Sequence, residues 1–335
     1  TELERLMADF DRNFTREDLP WVVTQLALYN ECNVAERVMR AAAAMDYPPG
    51  KHIVQVLDDS TDETKALVDR VAAELNAAGN HVQVVRRPDR EGFKAGALSF
   101  GMSAQPADFY AIFDADFVPT HDFLLRTVPV MMMRPDVGLV QARWGHLNAD
   151  ISVITRAQGV GIDAHFAIEQ PARSWNNLFM NFNGTAGLWR RTAVEGGGGW
   201  EHDTLTEDMD LSYRAQLAGW KPYYLFDLVV PAEVPDNINA FKAQQFRWAK
   251  GSMQTAVKLL PRIFASSFPR SAKVQALFHM GHYIIHPLMV TVAFMVLPVL
   301  KFTSFGSSSL ILISIFSLLI ISTMATLSVY ASAQC

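Results

Sequence analysis

Residues Tyr110 to Val118 read Tyr-Ala-Ile-Phe-Asp-Ala-Asp-Phe-Val, an unbroken apolar run followed by two carboxylates one residue apart. Such a run suits a strand covered on both faces, the usual state of a strand in a parallel sheet. If the strand continues straight, Asp114 and Asp116 sit at i and i+2 and share a face. Hard divalent cations take oxygen ligands, and Mg²⁺ is commonly held by one or two carboxylates plus substrate phosphates. Two readings are open: a metal site holding a diphosphate at the carboxyl end of a sheet, or a solvated turn after a buried strand. The flanking chain favours the first.

Apolar runs alternate with helical patterns around that stretch. Leu3 to Phe14 has the spacing of a short amphipathic helix, lying on a membrane surface or against the body of the protein. Trp21 to Leu28 is a first strand closing on Tyr29-Asn30-Glu31, and Asn33 to Met45 a helix stopped by Tyr47-Pro48-Pro49-Gly50. His52 to Leu57 is a second strand running into Asp58-Asp59-Ser60-Thr61-Asp62. Thr61 to Ala78 is a helix and His81 to Arg86 a third strand. Gly92-Phe93-Lys94-Ala95-Gly96 leads into a helix from Ala97 to Ala104. This alternation predicts a doubly wound α/β sheet, whose ligands lie beyond the carboxyl ends of the strands.

The polar residues collect at those ends. Tyr29, Glu31, Asp58, Asp59, Asp114 and Asp116 all follow apolar strands. Asp59, Ser60 and Thr61 also have the chemistry of helix N-caps, which accounts for one or two of them. Adjacent carboxylates repel unless donors meet them, and ribose and base donors would do so. Lys94 is either a surface lysine or a phosphate ligand, since flanking glycines let the backbone approach a phosphate closely.

Later segments add a second set of polar groups. Gly138 to Ala142 is a strand and Ser152 to Ser174 a helix. Asn181-Phe-Asn-Gly-Thr-Ala-Gly187 is either a wall that hydrogen-bonds a sugar or a plain β-turn. Gly196 to Gly199 is a hinge or tight turn. Thr206 is a natural N-cap for a helix from Asp208 to Leu217, with Glu207 and Asp208 favoured at its positive end. Alternatively, one of these carboxylates is a general base at an acceptor hydroxyl. Gln244, Arg247 and Trp248, at i, i+3 and i+4 of a helix from about Ala240 to Leu260, share a face. An amide, a guanidinium and an indole suit a sugar-diphosphate surface better than a hydrophobic seam.

Composition separates the C-terminus from the rest. Hydrophobic residues make up 50% of the chain and charged ones 19%, with the apolar excess at the C-terminal end. Ala276 to Leu300, interrupted by His279, His282 and His286, and Leu310 to Val329 each reach the ~20 residues of a spanning helix. Arg262, Arg270 and Lys273 precede the first, which puts the preceding body in the cytosol. The histidines, at i, i+3 and i+7, read as snorkelling or helix-contact residues on one packed face rather than as a metal site. A net charge of -5 without a long basic run argues against nucleic acid as a partner. Cys32 and Cys335 form no disulfide or metal pattern, which suits a reducing compartment. No signal-peptide pattern opens the chain. Neither end reads as a natural terminus, so a fragment of a longer protein with further spans is expected.

In order, Asp58-Asp59, Asp114-x-Asp116, Thr206-Glu207-Asp208 and Gln244-x-x-Arg247-Trp248 resemble the D, DxD, TED and QxxRW signature of processive family 2 glycosyltransferases. That group includes cellulose, chitin and hyaluronan synthases. The wording Val-Leu-Asp-Asp-Ser-Thr-Asp, Phe-Lys-Ala-Gly-Ala-Leu, Val-Gln-Ala-Arg-Trp and Phe-Asn-Gly-Thr-Ala-Gly is most similar to the cellulose synthase-like A branch, the glucomannan 4-β-mannosyltransferases. The resemblance runs from about Trp21 to Lys258. It implies a GT-A fold, Rossmann-like, and an inverting single displacement aided by Mg²⁺ or Mn²⁺. Tyr29, Glu31, Asp58 and Asp59 would hold the nucleotide, and Lys94 the diphosphate, with Gln244 also on the donor. Asp114 would bind nucleotide sugar and share the metal with Asp116. Asp208, beside Glu207, would be the base, and Arg247 would steady the leaving diphosphate. Trp248 would stack on the acceptor sugar, with Asn183, Gly184 and Thr185 on the acceptor wall. Leu28 stands where cellulose synthases have threonine, which leaves both GDP-mannose and UDP-glucose as donors.

The implied organisation is an interfacial helix in 1–20, a cytosolic catalytic domain in 21–260, and an interfacial segment with two spans in 261–335. The implied protein sits in the plasma membrane or Golgi and extends a β-linked mannan, glucomannan or glucan as its acceptor. Two other readings stand beside it: a non-processive transferase acting on a lipid acceptor, and a silent subunit that binds nucleotide sugar for a partner synthase.

Overall fold

The computed structural model describes residues 2–302 and 309–334; Cys335 lies outside the described residues. Its strands are β1 (Val22–Leu28), β2 (His52–Asp58), β3 (Val82–Val85), β4 (Phe109–Asp114), β5 (Val137–His146), β6 (Gly187–Arg190) and β7 (Lys221–Ala232). They form one sheet in the order β3-β2-β1-β4-β6-β5-β7. Neighbours β1/β2, β1/β4, β2/β3 and β5/β7 are parallel. β6 runs antiparallel to β4 and β5, so the α/β sheet expected, covered by helices on both faces, is mixed and not wholly parallel. The reason is local. The loop 181–186 lies at the carboxyl ends, so the chain enters β6 from that side, and Ala186 N donates to Ile112 O at 2.8 Å.

The helices are α1 (Glu2–Asn13), α2 (Cys32–Ala43), α3 (Thr64–Ala77), α4 (Phe93–Ala104), α5 (Phe123–Met133), α6 (Val153–Ala164), α7 (Gln170–Trp175), α8 (Arg191–Gly196), α9 (Glu207–Leu217) and α10 (Ile238–Ala265). Three more follow: α11 (Arg270–Gly281), α12 (Ile285–Phe302) and α13 (Ser309–Ala333). One sheet face is covered by α1, α2, α3 and α5, through Phe10, Met39, Val68 and Leu124 against Leu26, Val56 and Phe113. On the other, Leu98 of α4, Val194 of α8 and Leu211 of α9 meet Leu57, Ile112 and Trp189. Burying a large apolar side chain of this kind stabilises by about 1.5–3 kcal/mol, which is why central strands read as continuous apolar runs. Between the open alternatives for the first helix, the body wins: Leu6 and Phe10 of α1 are buried in the core.

Three local differences from the sequence pattern have physical causes. The helix expected over Ser152 to Ser174 is broken by a π turn at His165–Glu169 between α6 and α7. α3 begins at Thr64 instead of Thr61, because Asp62 Oδ1 accepts from Thr64 N at 3.0 Å and makes the turn ahead of it. β7 was not legible, since Pro222, Asp227 and Pro231 interrupt its apolar pattern.

Candidate active site

A cleft of about 810 Å³ opens at the carboxyl ends of β1 and β4, walled by the first turns of α4 and α9 and by α10. Tyr29, Glu31, Asp59, Lys94, Asp114, Asp116, Asn183, Gly184, Glu207, Asp208, Gln244, Arg247 and Trp248 all line it. Asp58 and Thr185 do not.

The two aspartates after β4 reach the cleft by a turn, not along one strand face as their spacing predicts. β4 ends at Asp114, and Asp116 lies in the turn closed by Phe117 N on Asp114 O at 3.1 Å. Thr185 supports this turn from beneath: its Oγ1 accepts from Asp114 N at 2.9 Å, and it is buried. Burial, then the neighbouring Asp114 charge, pushes the Asp116 carboxyl up to about 7. No Lys or Arg among the described residues forms an ion pair with Asp116. Hard oxygen donors short of a countercharge fit Mg²⁺ or Mn²⁺.

Lys94 enters from the first turn of α4, which begins at Phe93 and not at Ala97. Its ammonium donates to the Asp114 carboxylate and, at 2.9 Å, to the Gly184 carbonyl. Burial opposes its charge, but Asp114, Glu207 and Asp208 outweigh that, and its pKa lies above the ordinary lysine value. The flanking glycines serve the protein's own packing. A Cβ on Gly96 would lie 2.1 Å from the Glu91 carbonyl oxygen, and one on Gly92 3.0 Å from His202 Nδ1.

Glu207 and Asp208 form the first turn of α9. Thr206 holds the N-cap position but makes no cap bond; its hydroxyl meets Thr255 Oγ1 at 3.1 Å. Burial raises the pKa of Glu207, and burial followed by the Glu207 charge pushes Asp208 up to about 7. A carboxylate tuned to neutrality is suited to take a proton from a hydroxyl.

At the β2 end of the cleft, the donors that Asp58 and Asp59 need come from the protein. Arg87 forks onto Asp59 through Nε (3.1 Å) and Nη2 (2.5 Å). Asp58 is fully buried and accepts from Arg86 Nε at 2.8 Å and Ser60 N at 3.0 Å, so it fixes the end of β2 and faces away from the cleft. Glu31 is raised by burial in spite of a bond from Tyr29 N. The Arg90 guanidinium lies 3.3 Å from the Tyr29 ring centroid. Arg86, Arg87 and Arg90 were not singled out in the sequence; three arginines in five residues after an apolar strand were the available signal.

Two titratable residues behind Asn183 were also missed. Asn183 Oδ1 accepts from Asn181 Nδ2 at 3.0 Å and meets His165 Nε2 at 3.0 Å. His165 Nδ1 faces Glu169 Oε2 at 2.8 Å, and Arg173 Nη2 pairs with Glu169 at 2.8 Å. The i, i+4 spacing of His165 and Glu169 was their signal. A separate acidic group, Glu201, Asp203 and Asp210, is close enough to hold a metal. Its cation is already the protein's own, because Lys258 Nζ lies 2.5, 2.7 and 2.9 Å from the three carboxylates.

Beyond the cleft, the helical run Arg270–Met295 is long and apolar enough to cross a membrane, and Ser317–Ala333 is a shorter apolar helix. The run starts six residues before the expected span. Its first helix, α11, buries Ala272, Ala276, His279 and Met280 against α9 and α10. A 3-10 turn at His282–Ile284 then separates it from α12. The three histidines therefore share no face: His279 is buried with Nδ1 2.7 Å from Tyr213 Oη, while His282 and His286 are exposed.

A mixed α/β sheet with acidic groups, a lysine and a guanidinium gathered at its carboxyl end defines a GT-A-like nucleotide-sugar transferase fold. The model of the family described as "Glycosyltransferase like family 2" matches residues 22–251, and the chain belongs to that family. It is 46% identical over 249 residues to the probable glucomannan 4-beta-mannosyltransferase 7 of Oryza sativa subsp. japonica, covering 73% of this chain and 43% of that protein. It is 40% identical over 257 residues to glucomannan 4-beta-mannosyltransferase 2 of Arabidopsis thaliana, covering 76% and 48%. The chain thus spans less than half the length of these relatives. Among solved structures, the mannosyltransferase PcManGT of Pyrobaculum calidifontis, in complex with GDP-Man and Mn2+, superposes with a TM-score of 0.64 at 20% identity, covering 99% of this chain and 92% of that one.

Proposed function

We propose that this chain is the catalytic part of a membrane-bound, inverting, processive glycosyltransferase that extends a β-1,4-linked mannan or glucomannan from GDP-mannose. The observation that carries this reading is that Asp116, Asp208, Arg247 and Trp248, remote in sequence, open on one cleft. The similarity to glucomannan 4-beta-mannosyltransferases supports the donor and linkage, with UDP-glucose as the second donor of a mixed polymer.

In this reading Tyr29, Glu31 and Asp59 hold the nucleotide, and Lys94, Gln244 and Arg247 the diphosphate. Asp116 and Asp114 hold Mg²⁺ or Mn²⁺. Bound there, the divalent cation supplies positive charge to the departing diphosphate. Arg247 does the same with two parallel donors, a gain larger in the transition state than in the ground state. Asp208 takes the acceptor hydroxyl proton, while Trp248 stacks on the acceptor sugar with Asn183 and Gly184 on its other side. The exposed apolar side chains of Leu288, Met289, Val290 and Phe294 support passage through a plasma or Golgi membrane, with the cleft on the cytosolic side.

The test is incubation of purified protein with GDP-mannose, UDP-glucose or both, with Mn²⁺. Released nucleoside diphosphate and a long product cut by a β-1,4-mannanase are expected. A product one sugar longer than its acceptor replaces this reading with the non-processive one; no release from any donor replaces it with a silent subunit.

A further inference from the structure

Helix α10 carries one polar stripe that continues past the cleft. Gln244, Arg247 and Trp248 are followed at helical spacing by Gly251, Gln254, Thr255 and Lys258. Positions 244, 251 and 258 lie seven apart, as do 247 and 254, and 248 and 255, so all fall on one side. The first half of the stripe faces the cleft. The second half is seated on residues 201–210, the loop that runs into α9 together with the first turn of α9, which carries Asp208.

Every turn of that second half makes a specific contact. Gly251 lies so close to the loop that a Cβ there would be 2.5 Å from Thr206 Cγ2 and 2.9 Å from Thr206 N. Gln254 Oε1 accepts from Leu205 N at 3.0 Å, and Thr255 Oγ1 is 3.1 Å from Thr206 Oγ1. Lys258 Nζ then meets Glu201 at 2.5 Å, Asp203 at 2.7 Å and Asp210 at 2.9 Å. An exposed lysine–carboxylate pair holds little. Here one ammonium serves three carboxylates, and Asp210 is completely buried with Arg214 Nη2 at 2.6 Å as its second partner. Without Lys258, only Arg214 would be left to face all three.

We infer that Lys258 is a positioning residue for sugar transfer: it locks α10 to the loop before α9 and so sets how Arg247 and Trp248 stand against Asp208. It touches no substrate, standing ten residues along α10 from Trp248, roughly 15 Å at the helical rise. The inference rests on the cleft being a glycosyl-transfer site. Tyr29, Asp59, Lys94, Asp114 and Asp116 are held by other elements, so loosening the joint weakens the donor's hold only through Gln244 and Arg247 and chiefly misaligns the acceptor. The donor's sugar is then lost to water instead of being transferred.

The experiment compares the full chain with Lys258→Met, Lys258→Arg and Gly251→Ala, measuring donor hydrolysis, sugar transfer and GDP affinity. Lys258→Met should raise the ratio of hydrolysis to transfer by at least ~10-fold, on the scale of a small misplacement of reacting groups, with GDP affinity, which rests only in part on Gln244 and Arg247, falling by a smaller factor than transfer. Lys258→Arg should restore the ratio in part. Gly251→Ala, which pushes α10 off Thr206 with every charge intact, should reproduce the defect even if Lys258→Met does not fold. A wild-type ratio in both disruptive variants, or transfer and GDP affinity falling by the same factor, overturns the inference. If the wild type transfers no sugar, the functional reading fails, and the joint is judged by amide exchange over residues 240–248. Exchange there should quicken in Lys258→Met or Gly251→Ala, and unchanged exchange overturns the joint.

Discussion

Asp208 and Gly184 face each other so closely that a Cβ on the glycine would lie 3.1 Å from Asp208 Oδ2. Gly184 also has φ +84°, a left-handed conformation that costs a non-glycine residue about 1–2 kcal/mol. Gly184→Ala should therefore lower the melting temperature by a few degrees and lower kcat as well, because the methyl crowds the carboxylate proposed to reach the acceptor hydroxyl. Thermal melts and steady-state rates measure both. Full turnover in a destabilised variant would mean the acceptor does not approach from this wall.

Replacing Asp208 by asparagine keeps the side chain's size and removes its ability to take a proton. Transfer should fall by roughly 10²–10⁴, while the donor, held by groups on other elements, binds as before. Calorimetric titration with GDP-mannose, set beside initial rates, separates the two. Unchanged turnover with intact donor binding would take the base role from Asp208.

As the proposed base, the same carboxyl should set the pH dependence. Its pKa is pushed up to about 7, so the transfer rate should fall as pH drops through about 7 and level off above it. Two variants should move that limb in opposite directions. Glu207 raises the Asp208 pKa, so Glu207→Gln shifts the limb to lower pH. Lys94 lowers it, so Lys94→Met shifts the limb to higher pH. Profiles of kcat/KM against pH at saturating Mn²⁺ measure the midpoints, and shifts in one common direction would contradict the arrangement.

The strands that build the cleft were legible because each is buried on both faces and ends abruptly in polar residues. β1, β2 and β4 all show this, and the i, i+3, i+4 set on α10 was legible for the related reason that helical spacing fixes a face. Side-chain partners were not legible. Nothing in Asp58-Asp59 distinguishes a carboxylate turned inward to Arg86 from one at the cleft held by Arg87, because that depends on how β2 meets the segment after β3. β7 escaped because prolines interrupt it, and β6 because a four-residue strand carries too little pattern to reveal its direction. At α11, apolar composition alone cannot separate Ala276 and Met280, buried in the protein, from residues of a span.

As the proposed metal ligand, Asp116 should link metal binding to stability with a definite sign. Its folded-state pKa, about 7, stands above the ordinary 3.8, so the folded apo protein takes up a proton more readily than the unfolded chain. That contribution to stability is complete below about pH 4 and is lost as pH rises through 7. A divalent cation on the carboxylate reverses the balance, since only the ionised form binds it. At about 100 times its dissociation constant, Mn²⁺ should stabilise the fold by ~2.7 kcal/mol. The rise in melting temperature with Mn²⁺ should therefore be large at pH 8, shrink as pH falls below 7, and be absent at any pH in Asp116→Asn. The apo variant should lose the Asp116 share of the pH-dependent destabilisation of the apo wild type between pH 6 and 8 and keep the share that Asp208 contributes. An Mn²⁺ shift that persists in Asp116→Asn would place the ion elsewhere, with Glu201, Asp203 and Asp210 next to be tested once Lys258 is removed from among them.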